Sequence, residues 1–285
     1  MLKRNVIANF LGNLWQAIMT LAFIPVYIHF LGMEAFGLIG VFTTIIGMVS
    51  LLDFGLSASM NREMARLSTL PDQSETMSRI ARTMEFLYWF IGLTVSGSII
   101  LFSPFIASHW LTSEQLSPDT TATAIRYMGT ALFFRWPQAF YAGGLMGLQR
   151  HVSFNGIRAV SEMLRNVGAA LVLWLYSPSV TVFFEWNILA YFVQIVFFFL
   201  TFWHYMPKSR ASRVLHFASL NHVWKFALGM TSISFLSTIL MQLDKVVLSR
   251  MLSLKEFGGY MLATTLAFGM LQIVNPIASA VFPRL

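Results

Sequence analysis

Residues 6–62 read VIANFLGNLWQAIMTLAFIPVYIHF-LGMEAFG-LIGVFTTIIGMVSLLDFGLSASMNR, two apolar runs joined at a short link, Leu31-Gly32-Met33-Glu34-Ala35-Phe36-Gly37. Each run exceeds the roughly 20 apolar residues that a helix needs to cross a bilayer core. The pattern returns 221 positions later. There the link reads Leu252-Ser253-Leu254-Lys255-Glu256-Phe257-Gly258, and Thr264-Thr265 fall in register with Thr43-Thr44. The link and both flanking runs recur together, which is the mark of an internal repeat.

Composition agrees with the hairpin. Of 285 residues, 56% are apolar and only 11% charged, against about 25% charged in soluble domains. The apolar runs are continuous rather than striped, so this is an all-α integral membrane protein, since hydrocarbon leaves no partner for an unpaired backbone. Eight spans are expected, at residues 6–30, 35–59, 84–108, 122–148, 154–176, 181–205, 222–248 and 256–282. The first is too long, and lacks the small-residue site, to be a cleaved signal peptide. Zero cysteines exclude disulfides and thiolate chemistry. The net charge of +7 is expected to serve loops facing anionic lipid, not nucleic acid.

The basic residues set an orientation. With the N-terminus inside, the inner segments carry twelve bases, including Lys3, Arg4, Arg62, Arg66, Arg150, Lys208, Arg210 and Arg213, while the outer ones carry only Arg250 and Lys255. The predicted organisation is a six-helix lobe over residues 1–206, a basic inner connection at 207–221, and the first hairpin of a second lobe at 222–285. Six helices is an even number, so the repeat is parallel, about an axis along the membrane normal. If the unit is six helices, the chain stops two helices into its second unit, and an incomplete chain is expected.

Polar groups inside spans are costly, and they mark cavities or helix partners. Arg158, Glu162 and Arg165 fall at i, i+4 and i+7 on one face of the fifth span, with Asn166 beside them. An internal ion-pair ladder is one reading; a net positive wall of a water-filled cleft, suited to phosphate, is the other. In the fourth span Arg126 and Arg135 lie nine residues apart, on opposite faces. Arg135 sits beside Trp136-Pro137, where a kink is expected. Asn9, Asn13, Gln16 and Thr20 line one face of the first span, below Pro25. They read either as glue between helices or as the polar wall of a cavity, and the wall is favoured. The seventh span repeats the theme with Ser234, Thr238, Gln242 and Lys245. Asp244 and Lys245 are adjacent, so each is expected to find its partner on another helix. Asp53 reads as a paired or capping carboxylate near the inner edge rather than a coupling group, and Glu85 as an ion pair with Arg82. The six histidines have no metal-ligand spacing, and no nucleotide loop or paired catalytic carboxylate appears. No metal, cofactor or enzymatic activity is expected.

Several stretches together resemble the oligosaccharide and O-antigen flippases of the multidrug/oligosaccharidyl-lipid/polysaccharide exporter superfamily. They are the amide-bearing first span with Phe30-Leu31-Gly32-Met33-Glu34-Ala35-Phe36-Gly37, Leu52-Asp53-Phe54-Gly55-Leu56 with Arg62-Glu63, and Gly147-Leu148-Gln149-Arg150. Leu243-Asp244-Lys245 and Phe257-Gly258-Gly259-Tyr260 look like the start of that family's second lobe. The resemblance implies a MATE-like flippase fold, with two six-helix lobes around a central cavity. It also implies a substrate, a sugar repeat unit on polyprenyl pyrophosphate, moved from the inner to the outer leaflet of the bacterial inner membrane for O-antigen or other polysaccharide. The chain departs from the pattern by ending after eight expected spans.

On that reading Arg135, Arg158, Glu162, Arg165 and Lys245 are the candidate head-group residues. Asn9, Asn13 and Gln16 would face sugar hydroxyls, and Asp53 and Asp244 would serve coupling or structural ion pairs. Membrane lipid, a polysaccharide polymerase and glycosyltransferases are the expected partners. Two alternatives stand beside it: a cation-coupled multidrug exporter of the same superfamily, which should present buried acids, and a membrane scaffold for polysaccharide assembly.

Overall fold

The computed structural model describes residues 2–207 and 221–281. The basic connection expected at 207–221 falls almost wholly outside them, as does Arg284, and the side chains of Lys3, Arg4 and Ser234 also lie outside. Among the described residues the chain is helical: α1 (Leu2–Val49), a 3-10 turn (Ser50–Asp53), α2 (Leu56–Leu67), α3 (Ser74–Leu101), α4 (Ser103–His109), α5 (Pro118–Arg135), α6 (Gln138–Gly147), α7 (His151–Leu175), α8 (Val180–Tyr205), α9 (Asn221–Met251) and α10 (Leu254–Val281).

The breaks have local causes. The first link shrinks to one hinge residue, Gly32, whose φ of 81° and ψ of 171° divide α1 into arms 2–31 and 33–49. A Cβ on Gly32 would meet open space, so the backbone conformation, not crowding, calls for glycine. The second expected span is also bent: Phe54 and Gly55 are both left-handed (φ 45° and 71°) after the 3-10 turn. The fourth breaks at Trp136-Pro137 between α5 and α6, where proline cannot donate to the preceding turn. α3 starts ten residues earlier than the expected span, because its first turns are polar and stand beyond the apolar stretch.

Among the described residues, three stretches, Ile7–Asp53, Ser74–Leu101 and Val180–Tyr205, are long and apolar enough to cross a membrane by length and composition. The outward surface is apolar as well. Phe90, Leu93, Leu101, Val160, Leu200 and Leu240 are all more than half exposed, a surface suited to hydrocarbon. Inside, Tyr88, Phe140, Tyr141, Phe184 and Phe202 are fully buried with Met60, Met64 and Met84, and the rings of Phe140, Tyr141 and Phe202 meet edge to face at 4.9–5.7 Å.

The repeat has a geometric counterpart. The second arm of α1 packs along α10, and two glycines carry the crossing. A Cβ on Gly37 would overlap the carbonyl of Leu254, and one on Gly258 would overlap the carbonyl of Met33. These are the same contact with the copies exchanged, since Met33 and Leu254, like Gly37 and Gly258, are 221 positions apart. Gly40 likewise faces Met261, its own repeat partner. Reciprocal contacts of this kind define a two-fold relation, and only small residues let backbones approach so closely.

Candidate functional site

α7 presents Arg158, Glu162 and Arg165 on one face, and the neighbouring helices bring three further groups to it. Arg135 arrives at the last turn of α5, just before the proline break, where a cation is favoured by the helix dipole. Gln16 comes from α1, and Tyr191 from α8. Together they border two adjoining cavities of about 420 and 270 Å³, which share Gln16, Arg135 and Glu162 in their walls.

The charges are not balanced. Glu162, buried, pairs with Arg165, a quarter of whose side chain is exposed, and also accepts from Asn166 Nδ2 at 3.3 Å. Asn166 is held in turn by Tyr27, whose hydroxyl donates to its Oδ1 at 2.8 Å. Arg158 donates from Nη1 to Asn13 Oδ1 at 3.0 Å. The guanidinium carbons of Arg135 and Arg165 lie 5.4 and 5.7 Å from the centre of the Tyr191 ring, within the range of a cation–π contact. Arg135 Nε is buried with no hydrogen-bond partner among the described residues. An orphaned guanidinium donor at a cavity wall calls for an acceptor, because a buried polar group without one is costly. Asp53 stands on the wall of the larger cavity. Counting it with Glu162, three arginines face two carboxylates, leaving one net positive charge.

The sequence-predicted residues divide into groups. Arg135, Arg158, Glu162, Arg165 and Gln16 converge as described. Asn9 is tied to α7: its Oδ1 accepts from Asn155 Nδ2 at 2.6 Å, and its amide meets His151 Nδ1 at 3.3 Å. Asn5 extends this seam to Gln149. Gly12 makes room for it, since a Cβ there would collide with the Asn155 side chain. The first two amides of the stripe, Asn9 and Asn13, therefore bond helix to helix, while Gln16 and Thr20 line the cavities. Asp53 caps locally, accepting from Ser57 N (3.3 Å), Ser57 Oγ (2.8 Å) and the Tyr88 hydroxyl.

Lys245 and Asp244 correct in part the expectation that each finds its partner on another helix. Nζ lies 3.5 Å from Asp244 Oδ1 because the long lysine chain curls back along α9, where it also donates to the Met241 carbonyl. Asp244 does take a partner on another helix, Tyr260 of α10. Lys245 borders a separate cavity of about 160 Å³, whose wall shares Thr20, Met261 and Thr265 with the 270 Å³ one. Arg126 is exposed and outside all of these walls. Glu85 exceeds its expected pair with Arg82 (3.1 Å), for it also accepts from Tyr141 and Trp203 at 2.6 and 3.0 Å.

Sequence reasoning missed the α8 wall. Asn187, Tyr191 and Gln194 sit at i, i+4 and i+7, the spacing already noticed on α7, and each borders one of the two adjoining cavities. The signal was present, but a tyrosine among phenylalanines reads as core.

A family model described as "Polysaccharide biosynthesis protein" matches residues 2–285. A solved structure described as the inward-facing conformation of a multidrug resistance MATE family transporter of the MOP superfamily superposes with a TM-score of 0.68 at 16% identity. The match covers 94% of this chain and 63% of that one, so the chain spans somewhat less than two thirds of that transporter's length. The helices thus share the MATE fold. No curated protein matches the sequence.

Proposed function

The chain belongs to the polysaccharide biosynthesis protein family, and from that premise we propose that it is a multi-pass membrane transporter that flips polyprenyl-pyrophosphate-linked oligosaccharide repeat units from the inner to the outer leaflet. On this reading the membrane is the bacterial inner membrane, and the distribution of basic residues favours a cytoplasmic N-terminus. The observation that carries the reading is the cluster of Arg135, Arg158 and Arg165 around adjoining cavities with a buried, unsatisfied Arg135 Nε.

A pyrophosphate cannot enter hydrocarbon without fixed cations, whereas its lipid tail can stay in the bilayer. Arginine supplies a planar, permanently charged fork that matches phosphate oxygens. Glu162 keeps Arg165 oriented, and Tyr191 sets Arg135 and Arg165 around one ring, so the donors are in place before the head group arrives. Gln16, Thr20, Asn187 and Gln194 offer amide and hydroxyl partners for sugar hydroxyls. Lys245 waits in the adjoining small cavity on the side of the second hairpin. Rocking of the two repeat units about their two-fold contact provides alternating access. The substrate changes leaflet without any bond made or broken, and polymerase and glycosyltransferases act before and after it.

The superfamily's other cargo class, organic cations, is supported by Asp53 on the wall of the larger cavity. The three arginines spread over the two adjoining cavities oppose it. The test is a deletion strain: lipid-linked repeat units should accumulate on the cytoplasmic leaflet while drug sensitivity stays unchanged. Normal surface polysaccharide with new drug sensitivity would replace this reading by the drug exporter. Normal distribution of the lipid-linked units with failed polymerisation would favour a scaffold.

A further inference from the structure

The segment that links α4 to α5, residues 110–117, grips both copies of the repeat at once, and we propose that it is a latch holding the cavity shut at the end away from the N-terminus. On one side it is shaped by the first hairpin. The buried carboxylate of Glu34, two residues past the Gly32 hinge, accepts from the backbone N–H groups of Glu114 (2.8 Å), Gln115 (2.9 Å) and Leu116 (3.3 Å). Successive N–H groups turned toward one anion form a preorganised nest, and Ser113 Oγ, donating to the Leu116 carbonyl at 2.9 Å, closes the turn.

On its other side the segment holds the second hairpin. Thr112 pairs with Ser253 in an isolated parallel bridge, and its carbonyl accepts from Leu254 N at 2.8 Å. Trp110 Nε1 donates to Ser249 Oγ at 3.1 Å, with the Arg250 guanidinium 5.3 Å from its ring. Leu111 and Leu254 are both buried there. Ordinary loop packing would tie the segment to its own neighbours α4 and α5. Here the bonds reach more than 130 residues along the chain, into the α9–α10 turn. They lie beside the crossing where Gly37 and Gly258 bring the two repeats into backbone contact.

If the repeats rock apart to expose the arginine cluster on this face, the bonds from Thr112 and Trp110 must break while the Glu34 nest travels with the first hairpin. This rests on the transport reading above. Glu34 thus acts through the segment it shapes, not on cargo.

The chain contains no cysteine, so the latch can be locked by a pair introduced at Thr112→Cys and Ser253→Cys. Bridged neighbours lie about 4.8 Å apart, inside the span a disulfide accepts. In reconstituted vesicles carrying polyprenyl-pyrophosphate-linked oligosaccharide, oxidation should form the cross-link and lower flipping about tenfold or more, with recovery on reduction, as expected when one of two states is trapped. Unchanged flipping by the cross-linked protein, or a folded protein that does not cross-link, overturns the latch.

A second reading needs no transport. Thr43, exposed on the wall of the 270 Å³ cavity, is replaced by Cys as a reporter. Glu34→Ala in that background should raise its labelling from the outer face by an impermeant maleimide about fivefold, the shift that follows loss of one net hydrogen bond. Equal labelling also overturns the latch. Should the wild type not flip at all, the transport reading fails, and the labelling result alone decides the latch.

Discussion

Replacing Arg165 with Met removes a cation from the cavity and also strands Glu162, which is only 8% exposed. Breaking a buried ion pair from one side costs about 3–5 kcal/mol; because a quarter of the Arg165 side chain is exposed, about 3 kcal/mol is the appropriate end of that range. Loss of transport in Arg165→Met alone would therefore be uninformative, since protein level should fall with it. The companion change Glu162→Gln removes the stranded charge and keeps the shape. A Gln there still offers its carbonyl to Asn166 Nδ2, which also holds the Glu162 backbone carbonyl at 2.8 Å. The double variant should regain all but about 1 kcal/mol of the stability. If Arg165 holds cargo, flipping stays at least tenfold below wild type in that restored protein, the equivalent of one charge-assisted hydrogen bond lost. Thermal unfolding in detergent and flipping in vesicles are measured on wild type, both single variants and the double. A double variant that recovers stability and flipping together would refute the cargo role and leave a structural ion pair.

Other sites separate in the same way. Arg135 pairs with no carboxylate among the described residues and has an unsatisfied Nε, so Arg135→Met should change stability by less than about 1 kcal/mol while flipping falls tenfold or more. Gly258→Ala pushes a methyl onto the Met33 carbonyl and should cost about 1–3 kcal/mol. Gly97→Ala, which meets open space, should be neutral or slightly stabilising by thermal unfolding. Glu85→Ala strands Tyr141, Trp203 and Arg82; a loss of about 2–4 kcal/mol is expected, with the flipping rate per folded molecule unchanged.

What could be read from the sequence was whatever local spacing encodes. The α7 face, the apolar runs and the break at Pro137 depend on residues close along the chain, and the repeat on matching two such local stretches 221 positions apart. Where a side chain goes once two helices meet was not readable. Asn9 and Gln16 lie on one helical stripe, yet Gly12 admits α7 close enough to take the amide of Asn9 and leave Gln16 to the cavity. Arg126 and Arg135 sit on opposite faces of one helix, but which of the two faces meets the cluster depends on how α5 packs. Lys245 and Asp244 pair because a four-carbon side chain can fold back along its own helix, which face counting ignores. The latch was least visible of all. Glu34 is an acid in an otherwise apolar hairpin, but its partners are main-chain N–H groups, which every residue except proline possesses.

The central claim is that the arginine cluster carries an anionic, lipid-linked head group across the bilayer. It is tested most directly with purified protein in vesicles, following the movement of a polyprenyl-pyrophosphate-linked oligosaccharide between leaflets. Wild type should equilibrate it, and the combined Arg135→Met, Arg158→Met, Arg165→Met and Glu162→Gln variant, checked to be folded, should not. Equal flipping by the two proteins would contradict the claim.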